Sequence, residues 1–307
     1  MKREMEDCRL CPRECGADRL HGKPGFCGVG SRIRAARAAL HLWEEPCLIG
    51  EKGSGAVFFS GCGLRCIFCQ NYEIARAAAG EEIPEERLAE IFLELQDQGA
   101  ANINLVTPTP YVPQIAEALT SAKRQGLALP VVYNCGGYEK VSTLQRLEGL
   151  VDIWLPDYKY ESRELARRYS RAEDYPDRVK DALDEMVRQA GSPIFAPDGR
   201  MLRGVIVRHL VLPGQKEDSK AVVSYLYRRY KDQIYISLMR QYTPLPQAAA
   251  FPELNRKVTS YEYEQVVDHA LALGVTRGFM QRGGTAKESF IPAFDGQGIR
   301  RERKGEK

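Results

Sequence analysis

The chain has 307 residues, 44% hydrophobic and 28% charged, enough for one large α/β domain of roughly 200–250 residues with an appendage, or for two smaller domains. Its 44 basic and 41 acidic residues leave a formal net charge of +3, far from the field of a dedicated nucleic-acid binder. No apolar run approaches the roughly 20 residues needed to cross a bilayer, and the start, MKREMEDCRLCPREC, is charged from its second residue. The expectation is a soluble, unexported, cytoplasmic protein without nucleic acid or membrane as partner.

From residue 55 onward, strand-like apolar runs alternate with segments of helical period, the pattern of repeated βα units around a parallel sheet. The first strand is GAVFFS, 55–60. A helix follows from about Pro84, with Leu88, Ile91, Phe92 and Leu95 on one face and Gly99 at its end. NINLV, 102–106, is the second strand, and its helix carries Ile115, Leu119 and Ala122. PVVYN, 130–134, is the third, followed by Val141, Leu144 and Leu147. DIWL, 152–155, is the fourth, followed by the helical patterns ELARRYS and VKDALDEMVRQAG. GVIVRHLVL, 204–212, is the fifth, followed by Val222, Val223, Leu226 and Tyr230. IYISLM, 234–239, is the sixth; after a Pro-rich loop at 243–254 the last helix carries Val266, Val267 and Leu271, and GFM at 278–280 offers one more strand. A closed barrel needs eight units, so six predict an open, partial (β/α)6 barrel with ligands outside the carboxyl ends of its strands. Residues 1–54 fall outside the alternation and form a cysteine-rich N-terminal cap. The barrel spans 55–285, and the polar, charged stretch 286–307 reads as a disordered tail.

Nine cysteines in a chain with no export signal point to metal or redox sites rather than disulfides. Cys62, Cys66 and Cys69, in SGCGLRCIFCQN, begin immediately after the first strand. Gly61 and Gly63 let the backbone loop tightly around a bulky centre, and thiolates suit zinc, copper(I) or iron–sulfur clusters. Three ligands leave one metal position open, the mark of a reactive site. Unligated buried cysteines, or a zinc site completed by Cys135 or a histidine, are the ordinary alternatives. Upstream, Cys8, Cys11, Cys15 and Cys27 form a four-thiolate set closed by a Gly-rich loop. Zinc and an auxiliary iron–sulfur cluster both satisfy it, and the spacing does not choose between them. Cys47 lies outside both sets.

The CxxxCxxC motif after the first strand of a partial barrel resembles the radical S-adenosylmethionine superfamily. The blocks LHLWEEPCLIGEKGSGAVFFSGCGLRCIFCQNYEIA, VTPTP, PVVYNCGGYE, VDIWLPDYKY, GVIVRHLVLPG and ISLMRQYTP are similar to those of PflX-type homologues of pyruvate formate-lyase-activating enzyme, from residue 8 to about 281. The resemblance implies a [4Fe–4S] cluster on Cys62, Cys66 and Cys69 whose fourth iron is chelated by S-adenosylmethionine. It also implies that one electron cleaves the sulfonium to methionine and a 5′-deoxyadenosyl radical, which abstracts hydrogen from a C–H bond.

For the cosubstrate pocket, the resemblance implies Thr107 and Thr109 where the superfamily has an acidic Gly-Gly-Glu-type segment, so hydroxyls or backbone carbonyls would receive the ammonium group. A Pro-rich turn ending a strand is the plainer explanation of both. Asn134, with Gly136 and Gly137, would approach ribose or adenine, and Cys135 beside them is an extra ligand or a packed thiol. Asp157 and Lys159 match the activases' Asp-x-Lys element, Lys159 facing the carboxylate; a surface ion pair is the alternative. Arg208 corresponds to a carboxylate-contacting arginine and Gln241 to a ribose-contacting histidine, with Tyr242 and His209 as weaker candidates.

The implied partner is a glycyl radical enzyme whose glycine Cα yields a hydrogen, with a flavodoxin- or ferredoxin-type reductant. A peptide or small molecule modified within the barrel is the alternative target. A non-enzymatic iron–sulfur electron carrier or redox sensor is the alternative of another class.

Overall fold

The structure is a computed structural model that describes residues 2–281 and 291–301. In chain order its strands are β1 (Ile33–His41), β2 (Ser54–Phe59), β3 (Glu81–Ile83), β4 (Ile103–Val106), β5 (Val131–Cys135), β6 (Ile153–Pro156), β7 (Ile194–Phe195), β8 (Met201–Leu210), β9 (Tyr235–Met239) and β10 (Gly278–Met280). They form one sheet in the order β10-β9-β8-β6-β5-β4-β2-β1-β3, with β7 beside β8. From β2 to β10 along that order every neighbouring pair is parallel. The fold is α/β with a mostly parallel, unclosed sheet of the partial-barrel kind.

Side-chain alternation along the strands explains the layering. Val57, Phe59, Ile103, Leu105, Val131, Tyr133, Trp154, Val205, Val207, Ile236 and Leu238 point outward into the main core under the helices. The crossover helix Glu85–Asp97 buries Leu88, Ile91, Phe92 and Leu95 there, the face its period predicts. The alternate residues Val132, Ile153, Leu155 and Ile206 point into the barrel, where together with Met201 they pack on Cys47 and Leu48 of the short helix Pro46–Ile49. That helix plugs the lumen from below, and the Asn102 side-chain amide donates to the Leu48 carbonyl at 2.6 Å to hold it.

Three features differ from the expectation. β1 lies within residues 1–54 yet pairs antiparallel with β2 and with β3; its sequence, IRAARAALH, is rich in Ala and Arg, which weakens the local strand signal. Leu271 is 56% exposed, and the last helix, Ser260–Leu273, buries Val266 and Ala270 instead. Of the segment read as a disordered tail, 286–290 and 302–307 lie outside the described residues, while 291–301 packs against the body. The Gly296 amide donates to Ala36 O, the Ala38 amide donates to Gln297 O, and Ile299 is fully buried. β3 covers only Ile33 to Ala35 of β1, so the rest of that edge is left for another segment to occupy. Among the described residues no helix is long and apolar enough to cross a membrane.

Candidate active site

A cavity of about 220 Å³ opens at the carboxyl ends of the parallel strands. Cys62, Cys66 and Cys69 line it together with Thr107, Asn134, Cys135, Asp157, Lys159, Arg208 and Gln241. The chain reaches this arrangement because each strand of odd–even alternation ends with an inward residue: Asn134 follows Val132, Asp157 follows Leu155 and Arg208 follows Ile206.

The cysteine loop is held by close packing. Gly61 has φ 93°, and a Cβ there would lie 2.6 Å from Val29 Cγ1. The Leu64 amide faces Cys62 Sγ at 3.4 Å, and the buried Ser170 hydroxyl donates to Cys66 Sγ at 2.9 Å. Burial first, and the neighbouring cysteines second, push the thiols of Cys62 and Cys69 up. Among the described residues no group of three or more His, Cys, Asp or Glu side chains is drawn together around a single metal ion. The three thiols nevertheless face one cavity, carry hydroxyl and amide donors at their sulfurs, and have the Lys159 ammonium in their field. That donor set suits a thiolate-ligated cluster with a position left over.

An ion chain leads away from the cysteines. Lys159 Nζ donates to Asp157 Oδ2 at 2.6 Å, Arg208 Nε donates to Asp157 Oδ1 at 3.0 Å, and Arg208 Nη2 donates to Asn134 Oδ1 at 2.6 Å. Burial raises the Asp157 carboxyl, but Lys159 and Arg208 outweigh it and hold the group below its usual range. The pair is therefore inside the cavity and not a surface ion pair. Gln241 is held by Gln281, whose amide donates to its Oε1 at 3.0 Å.

The remaining candidates divide between the cavity and the surrounding core. Thr107 lines the cavity in a left-handed conformation, φ 60°, a strained state for a β-branched residue. Thr109 does not line it: the Pro-rich turn continues as a 3-10 helix, Thr109–Tyr111, and its hydroxyl donates to Glu139 Oε1 at 2.7 Å. His209 points outward from β8, its Nδ1 2.7 Å from the Tyr158 carbonyl, and burial lowers its pKa to about 4. Tyr242 is buried and donates to the Leu254 carbonyl. Cys47 sits in the plug beneath the cavity.

In the N-terminal segment Cys8 is buried, Cys11 and Cys27 are half-buried and Cys15 is exposed. Gly25 lets this loop close, since a Cβ on it would lie 2.5 Å from Cys15 Sγ. Burial pushes the Cys11 thiol up to about 12. The set adjoins the motif loop: Cys11 Sγ lies 3.5 Å from where a Gly63 Cβ would stand, and Arg13 donates to the carbonyls of Gly63 at 2.8 Å, Ser170 at 2.9 Å, and Arg171.

Sequence reasoning missed Glu44, Glu45 and Glu139. Glu44 follows β1 and lines the cavity; its Oε1 accepts from Asn104 Nδ2 at 3.0 Å, and its Oε2 lies 3.5 Å from Arg208 Nη1. Two adjacent acids before a proline, in WEEP, were the available signal. Glu139 is fully enclosed beside Thr109 and Tyr133, and burial raises its carboxyl to about 7.

A parallel open barrel with three thiols at the end of its first barrel strand defines a class in which a metal centre and its ligand meet at the strand ends. Residues 56–226, more than half of the chain, match the model of the Radical SAM superfamily, and the protein belongs to that superfamily. It is 28% identical over 278 residues to an uncharacterized protein of Methanocaldococcus jannaschii, covering 88% of this chain and 75% of the relative. Among solved structures it is similar in fold to Streptococcus suis SuiB bound to S-adenosylmethionine, with TM-score 0.50 and 14% identity over 72% of this chain and 48% of SuiB. The chain spans about half the length of SuiB.

Proposed function

We propose that the protein binds a [4Fe–4S] cluster through Cys62, Cys66 and Cys69 and S-adenosylmethionine beside it, and uses them to abstract hydrogen from a target. The observation that carries this reading is the meeting of those three thiols with Asn134, Asp157, Lys159 and Arg208 in one cavity. When bound, the cluster and cosubstrate together supply one-electron chemistry that activates a C–H bond. Lys159 holds a carboxylate, Asp157 keeps Lys159 and Arg208 ionised and oriented, and Asn134 offers an amide to ribose or amino groups. Gln241, fixed by Gln281, completes the wall, and Thr107 presents backbone and hydroxyl at the end of β4.

For the target we favour a protein or peptide segment, with the glycine of a glycyl radical enzyme as the activase-like case. Support comes from the mouth. None of residues 243–254 lines the cavity; that loop packs on the helix Arg163–Ser170 instead, through Glu253 with Arg168 and Tyr169. The four N-terminal cysteines fit an auxiliary cluster that passes electrons from a flavodoxin- or ferredoxin-type donor, a role supported by the closeness of Cys11 to Gly63.

The test is anaerobic reconstitution with iron and sulfide, reduction by dithionite, and measurement of 5′-deoxyadenosine after S-adenosylmethionine is added. Cleavage is expected in the native protein and none in Cys66→Ala. A fully loaded protein that cleaves nothing would instead be an electron carrier or sensor, and cleavage persisting in Cys66→Ala would overturn the ligand assignment.

A further inference from the structure

The ion chain has an order. Lys159 lies in the field of Cys66 and Cys69, Asp157 joins it to Arg208, and Arg208 joins Asp157 to Glu44 at the far end. Glu44 therefore stands at the floor of the cavity, on the segment that leads into the plug helix Pro46–Ile49.

The charges there do not balance. Among the described residues the chain sets three carboxyl groups, Asp157, Glu44 and Glu45, against two cations, Lys159 and Arg208, and burial lifts the Glu44 carboxyl to about 7, so that its full ionisation near neutral pH awaits a further cation. His41, also on the wall, adds no charge near neutral pH, because burial and then Arg37 lower its pKa. Two buried oxygens behind this floor, on residues that do not themselves line the cavity, have no hydrogen-bond partner: Glu45 Oε2 and Asn104 Oδ1, on residues 7% and 0% exposed. Asn104 points its amide group at Glu44, so its unpartnered oxygen belongs to the same locus. A surplus acid next to unpartnered acceptors is costly to leave dry, and a cationic N–H donor on the cavity side of Glu44 offsets the surplus negative charge.

We propose that Glu44 is a specificity-determining residue whose carboxylate receives an ammonium or guanidinium group of the molecule from which hydrogen is taken. This rests on the hydrogen-abstraction reading above. The cosubstrate is common to the superfamily, whose matched segment is residues 56–226, whereas Glu44 lies outside that segment and at the end of the chain remote from the thiols. The basic group belongs to the target.

The experiment uses reconstituted protein saturated with S-adenosyl-L-homocysteine and follows n-butylammonium, n-butylguanidinium and n-butanol by ligand-observed NMR. The two cations are expected to bind more tightly than the alcohol. Glu44→Gln is expected to weaken them about 10- to 100-fold, the loss of one charge-assisted hydrogen bond, while leaving the alcohol unchanged. Glu44→Asp, which keeps the charge, is expected to keep the preference for cations. Iron content and S-adenosyl-L-homocysteine affinity report whether each variant retains its site. The proposal falls if the native protein does not prefer the cations, if Glu44→Gln keeps that preference, or if Glu44→Gln weakens S-adenosyl-L-homocysteine instead. Native protein that binds no S-adenosyl compound would overturn the functional reading itself, a result distinct from these.

Discussion

Ser170 is fully buried, and its hydroxyl lies 2.9 Å from both Cys66 Sγ and the Tyr160 hydroxyl. A donor at a ligating sulfur disperses thiolate charge and makes the bound cluster easier to reduce. Ser170→Ala is expected to move the midpoint potential to more negative values, read by potentiometric EPR, with Ser170→Thr restoring part of the shift. An unchanged potential would mean that the hydroxyl serves packing alone. Glu139 supports a second prediction at this scale. Its carboxyl titrates at about 7 in the folded protein, chiefly because it is buried, against about 4.3 when unfolded. The folded state therefore holds the proton more tightly, so stability falls as pH rises through that window, by up to about 4 kcal/mol. The loss is absent below the window and complete above it. Glu139→Gln removes this contribution, and its unfolding free energy should decline less steeply than the native protein's between pH 5 and 8. Parallel curves would show that Glu139 is not the group responsible. Glu44 and Asp218, raised by burial to about 7 and about 6, titrate over the same range and would retain part of the slope.

At the scale of elements, the four-residue helix Pro46–Ile49 matters beyond its length. It closes the barrel from below and fixes the position of Glu44 and Glu45, immediately before it in the chain. Leu48 is fully buried against inward side chains of the strands. Leu48→Ala should cost about 2–5 kcal/mol, measured by denaturant unfolding; a loss below 1 kcal/mol would indicate that the lumen collapses around the gap. The motif loop is fixed from outside by a second element, the N-terminal segment. Arg13 donates to three carbonyls flanking that loop and stacks over Phe26 at 4.1 Å.

For the whole molecule, the segment 291–301 joins the end of the described chain to its beginning. Arg87 donates to the carbonyls of Gly298, Ile299 and Arg300, and Pro292 reaches the cavity wall. Removing residues 291–307 would expose the site of Ile299 and leave Arg87 without those acceptors, so a loss of at least about 3 kcal/mol is expected in unfolding experiments. A truncated protein as stable as the full chain would contradict this packing.

The fold was legible from residue 55 onward because long strands with crossover helices carry their period locally: Val57 and Phe59, or Leu88, Ile91, Phe92 and Leu95, announce their faces within a few residues. Cys62, Cys66 and Cys69 were legible for the same reason, since their spacing lies in one short loop. β1 was hidden by its alanines and arginines, and the ordered stretch 291–301 by its polar composition. Thr109 looked equivalent to Thr107, yet one lines the cavity and the other donates to Glu139.

The sequence by itself determined the α/β architecture and set the three thiols in one loop after the first barrel strand, because alternation and motif spacing are local properties of the chain; Asn134, Asp157 and Arg208 were pointed to by the family resemblance. Only the tertiary structure decided that Glu44 closes the ion chain, that the plug helix floors the cavity, and that Cys11 lies beside Gly63. Those meetings join segments far apart in the chain, and they arise from sheet registry, burial and charge compensation, which no local period records.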